Sequence, residues 1–116
     1  MFEILRNFEN IISSFKILLY ERETDNSRLK LEVVFLDESK LIVRDYYFGG
    51  EQRKYVFHWM DKKNNLRVRW DNAEHWPDIA TFPHHKHLGD AREVKASTEV
   101  LLEDVLNYIA TQLNLP

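Results

Sequence analysis

The sequence predicts an α+β domain: a four- or five-stranded antiparallel meander with one N-terminal and one C-terminal helix packed on it. Three observations carry this prediction. The hydrophobic period drops from about 3.6 residues to about 2 near residue 15 and returns to the longer value after residue 98. The runs of short period are joined by brief polar segments, which favour antiparallel neighbours. No repeat, low-complexity tract or Pro/Gly-rich linker divides residues 1–116, so one domain is expected.

Taken in order, Glu3 to Ser14 sets Leu5, Phe8 and Ile12 on one stripe that continues to Phe15, an amphipathic helix pattern. Phe15 to Glu23 reads as a strand whose boundary with that helix is open. Arg28-Leu29-Lys30-Leu31-Glu32-Val33 alternates polar with apolar, as a half-buried strand does. Lys40 to Phe48 is β-rich and is followed by the turn signal Gly49-Gly50. Tyr55 to Met60 and Leu66 to Trp70 form a hairpin across Asp61-Lys62-Lys63-Asn64-Asn65. Thr98 to Leu113 closes the chain as a helix with Leu101, Val105, Tyr108, Ile109 and Leu113 on one face.

Register decides which side chains of the hairpin share a face. Pairing Trp59 with Val68 and Phe57 with Trp70 gathers the large apolar groups on one side. The other side then collects Val56, His58 and Met60 with Arg67, Arg69 and Asp71, and His58 lies across from Arg69. A slip by one residue sets Trp59 against Arg67, which makes the poorer core.

Hydrophobic residues at 44% and charged residues at 30% exclude a disordered chain. There is no cysteine, hence no disulfide framework, thiolate metal site or thiol nucleophile. No apolar run is longer than four residues, as in Ile17-Leu18-Leu19-Tyr20, far too short to span a bilayer, and Met1 to Arg6 lacks the order of a signal peptide. A cytoplasmic protein with no membrane partner is expected. The net charge of −3 is unevenly spread: residues 1–51 carry 7 basic against 10 acidic side chains, 52–92 carry 8 against 5, and 93–116 carry 1 against 4. All five histidines lie in the basic stretch. A basic segment in an acidic chain suits a specific anionic ligand better than indiscriminate polyanion binding.

Within that segment Thr81-Phe82-Pro83-His84-His85-Lys86-His87 places three histidines in four residues. Four readings compete for it. Metal-independent acid–base chemistry on an RNA phosphodiester needs a base, an acid and cations at the phosphoryl group. His84, His85, His87 and His58 supply the first two, and Arg67, Arg69 and Lys86 the third. Asp71 and Asn72 are further substrate-side candidates, with Asp71 orienting a histidine or an arginine. A metal site is the second reading, though His-His-x-His matches no strong ligand spacing. The third is a surface that binds nucleic acid or protein without chemistry. The fourth is structural: Trp76-Pro77 and Phe82-Pro83 anchor an irregular crossover, in which a histidine such as His75 satisfies buried carbonyls. The acid–base reading is the one adopted, and it requires no metal and no cofactor.

The strings Tyr55-Val56-Phe57-His58-Trp59, Leu66-Arg67-Val68-Arg69-Trp70-Asp71-Asn72-Ala73 and Thr81 to His87 resemble the TumE-like family over roughly residues 15–113. The resemblance implies a toxin of a prokaryotic toxin–antitoxin pair, with a cognate antitoxin that is a DNA-binding protein. It carries over no established catalytic residue. Trp76 is a departure, standing where the family pattern suggests a second histidine or another polar residue.

Overall fold

The computed structural model describes residues 2–89 and 93–113. Its order is α1 (Glu3–Asn7), β1 (Ile12–Arg22), β2 (Asn26–Phe35), β3 (Lys40–Phe48), β4 (Arg53–Met60), β5 (Leu66–Asp71), β6 (His85–Leu88), β7 (Glu93–Ala96) and α2 (Leu102–Gln112). The strands form one sheet in sequence order, each antiparallel to the next. The α+β class and both terminal helices agree with expectation, but the meander has seven strands rather than four or five.

The two added strands, β6 and β7, occupy sequence with little apolar signal. His-Lys-His-Leu alternates in direction but not in hydropathy, so its composition is that of a loop. The N-terminal helix also departs from expectation, ending at Asn7. Asn7 and Asn10 are poor helix formers, and the β-branched pair Ile11-Ile12 favours an extended chain. Phe15, placed on the helical stripe by periodicity, lies instead in β1 and is exposed.

One face of the sheet is the core. Leu31, Val33, Leu41, Val43, Phe57, Trp59, Val68 and Trp70 alternate along β2 to β5 and are buried together with Leu5 of α1 and Val105, Leu106 and Ile109 of α2. Tyr108 meets Trp59 and Trp70 edge-on, a favoured aromatic geometry. The Asp104 carboxylate accepts hydrogen bonds from the backbone N–H groups of Val100 and Leu101, which satisfies donors at the start of α2. Leu101 itself is exposed rather than part of the buried stripe.

The β4–β5 hairpin has the expected register: Phe57 faces Trp70, His58 faces Arg69, and Trp59 faces Val68. Beyond Trp59 a bulge pairs Met60 with Leu66, so two β5 residues oppose one on β4. Arg67 lies in this irregularity. Its guanidinium packs over the Trp59 ring at 4.7 Å and donates to Asp37 at 3.0 Å, so it does not join Arg69.

A histidine–aspartate–arginine cleft on the open sheet face

Opposite the core, the described residues contain no helix, and the alternation of β4 to β6 gathers polar groups there. Two cross-strand rows define the site. In one, His58 pairs with Arg69 and Arg69 with His87. In the other, Val56 pairs with Asp71 and Asp71 with His85. Directly paired residues share a face, so His58, Arg69, Asp71, His85 and His87 all stand on this side. The segment between β5 and β6 folds back over them, and Trp76 meets His85 and His87 edge-on at 6.4 and 6.3 Å. The result is a cleft of about 400 Å³ lined by Val56, Arg69, Asp71, Trp76, His85 and His87, with Asn72 and the exposed His75 at its border. His58 flanks it, on the far side of Arg69.

Asp71 is the hub. It is only 5% exposed. His85 Nε2 lies 2.9 Å from its Oδ1 and His87 Nε2 lies 3.6 Å from its Oδ2. Arg69 Nε donates to Oδ2 at a long 3.4 Å, and the Ala73 N–H donates to Oδ1 at 3.0 Å. His85 is fully buried, and its Nδ1 is 3.0 Å from the Pro83 carbonyl oxygen. The carbonyl-satisfying role expected of His75 therefore belongs to His85, while His75 is exposed.

Burial is the main force lowering the His87 pKa; His85 and Arg69 lower it further, against the pull of Asp71. Burial and then Arg69 likewise lower that of His58. Both imidazoles are therefore biased toward the neutral, proton-accepting form near pH 7.

Of the remaining sequence candidates only Asn72 borders the cleft. His84 and Lys86 alternate with His85 and His87 and so turn to the core side. The Tyr55 hydroxyl is 2.9 Å from His84 Nδ1 and the two rings stack. Burial raises the Tyr55 pKa and lowers that of His84, with Arg53 and His85 lowering the latter further, so the phenol is the donor of this bond. Lys86 Nζ donates to Glu99 at 2.9 Å and lies over the Tyr108 ring. Asn72 is a backbone clamp: its Nδ2 donates to the Arg53 carbonyl at 2.7 Å and its Oδ1 accepts from the Tyr55 N–H at 3.0 Å. Trp76, expected to be an anchor, forms a wall of the cleft. The signal for it was its odd place in a polar stretch.

The family model described as Toxin TumE matches residues 1–113. The chain belongs to the TumE toxin family. Membership makes this TumE protein a toxin with an antitoxin partner. No curated protein and no solved structure matches the chain. No helix among the described residues is long and apolar enough to cross a membrane. Roles for residues in this TumE cleft thus rest on its own geometry.

Proposed function

We propose that this TumE toxin cleaves RNA at the His58–Arg69–His87 row by acid–base catalysis. The observation that carries the reading is an arginine standing between two histidines in one cross-strand row of one sheet face. Adjacent strands are roughly 4.8 Å apart, so the two histidine stems stand on the order of 10 Å apart with Arg69 between them. That spacing leaves room for a phosphodiester. One imidazole takes the proton of the ribose 2′-OH, whose oxygen attacks phosphorus. The other must first take up a proton from solvent, which its lowered pKa makes a minority state near pH 7, and gives it to the departing 5′ oxygen, leaving a 2′,3′-cyclic phosphate and a 5′-hydroxyl. Arg69 binds the non-bridging oxygens, where charge accumulates. Asp71 orients Arg69 and His87, and the exposed Trp76 ring offers a stacking face for a base. The basic balance of residues 52–92 favours such a polyanion. On this reading His84, Lys86, Arg67 and Asn72 support the fold rather than touch substrate, and the protein acts in the cytoplasm.

The test is incubation of the purified toxin with total RNA and with a defined oligoribonucleotide, reading product ends. Cleavage with cyclic phosphate ends, lost in His87→Ala and in Arg69→Ala but retained in Lys62→Ala on the exposed β4–β5 turn, supports the proposal. Turnover at the wild-type rate by folded His87→Ala would sink it. The antitoxin is proposed to be a DNA-binding protein that covers the basic segment, which predicts salt-sensitive association.

A further inference from the structure

Both ring nitrogens of His85 face acceptors. The Pro83 carbonyl, 3.0 Å from Nδ1, only accepts, so Nδ1 carries a hydrogen. That leaves Nε2, 2.9 Å from Asp71 Oδ1, as the ring nitrogen with a lone pair to offer, and both groups are buried at the base of the cleft. A cation shared by this imidazole and the carboxylate would satisfy both.

The surroundings favour a cation held by more than this pair. His87 Nε2 approaches the other carboxylate oxygen at 3.6 Å, and ligand atoms of Asp71, His85 and His87 all lie within 4.8 Å of one another. A tetrahedral zinc ion with bonds of about 2.0–2.1 Å separates its ligand atoms by roughly 3.4 Å, which falls between the two carboxylate contacts. The Pro83 carbonyl stands where the outer partner of a metal-bound histidine stands, fixing the ring and leaving Nε2 free to ligate. Two imidazoles among three ligands suit zinc and its neighbours, and suit magnesium or calcium poorly. The nearby Arg69 side chain is held to Asp71 by one long contact and is partly exposed, so it can swing away from an incoming cation.

We propose that Asp71, His85 and His87 form a binding site for one divalent transition-metal ion of the zinc class, with Trp76 over the two imidazoles. The site goes beyond the acid–base reading and does not depend on it, because binding is measured without RNA. The two states compete on one molecule, since ligation takes Nε2 of His87 from Asp71 and lowers the basicity of the ring.

The experiment titrates the full chain, stripped with a chelator, with zinc chloride by calorimetry and with cobalt(II) by visible absorption. Wild type, Asp71→Asn, His87→Ala and Lys62→Ala are compared, with circular dichroism confirming the fold. The expected result is uptake of one equivalent by wild type and Lys62→Ala, and affinity reduced at least about tenfold in the other two. Half-buried His87 makes His87→Ala the variant that remains informative if Asp71→Asn does not fold. Absence of saturable uptake by folded wild type, or unchanged affinity in folded His87→Ala, overturns the proposal.

Discussion

Lys86 and His87 are neighbours in sequence and opposites in the sheet: Lys86 reaches Glu99 on the core side, while His87 stands beside Asp71 in the cleft. Their alanine variants should therefore fail differently. Lys86→Ala leaves the part-buried Glu99 with one partner fewer and should cost about 1–3 kcal/mol of stability. RNA cleavage by the folded fraction should persist. His87→Ala should melt near the wild-type temperature and lose cleavage. Thermal melts beside product-end assays separate the two.

Asn72 carries the β4–β5 pairing past Asp71 by substituting its side-chain amide for a strand backbone. Asn72→Ala strips a partner from the Tyr55 N–H and from the Arg53 carbonyl, and should destabilise by about 1–3 kcal/mol for each group left unsatisfied. Asn72→Asp keeps the acceptor but sets a carboxylate oxygen against the Arg53 carbonyl, so its loss in chemical denaturation should equal or exceed that of alanine.

Acid sensitivity should trace in part to Asp37. Burial pushes its carboxyl up, but bonds from Ser39 and Arg67 outweigh that and hold it below the usual range. A depressed folded pKa stabilises the protein fully above the unfolded value, near about 3.9, and the contribution fades as pH falls through the folded value. Wild type should thus lose melting temperature more steeply than Asp37→Asn below about pH 4. Parallel slopes in melts from neutral to acid pH would remove Asp37 from the account.

Metal and catalysis should compete. If the cleft both cleaves RNA and binds zinc, cleavage should fall in proportion to occupancy as zinc is added, and a chelator should restore it. Stimulation by zinc would leave the metal site standing and overturn the acid–base reading.

The fold is legible where hydropathy and direction change together. Phe57, Trp59, Val68 and Trp70 leave one sensible register, and hydropathy alone thereby sets His58 across from Arg69. Prediction fails at Arg67 because a bulge is a matter of backbone count, which side-chain alternation does not encode. It fails at β6 for a related reason. His85 and His87 face the cleft while His84 and Lys86 face the core side, yet all four are polar, so no contrast marks the alternation. The core-side members are tolerated because Tyr55 and Glu99 satisfy them.

The alternation in β6 also sets how this protein can change length. The connection ahead of β6 has irregular backbone and can absorb a lost or gained residue by adjusting its course. A deletion within His85 to Leu88 cannot be absorbed in the same way, because a shift of one position turns every later side chain to the opposite face. Removing Lys86, for example, would send His87 toward Tyr108 and leave Leu88 beside Arg69. Changes of length among descendants of this chain should accordingly be tolerated in the connection outside Trp76, which is held against His85 and His87, and almost forbidden within β6.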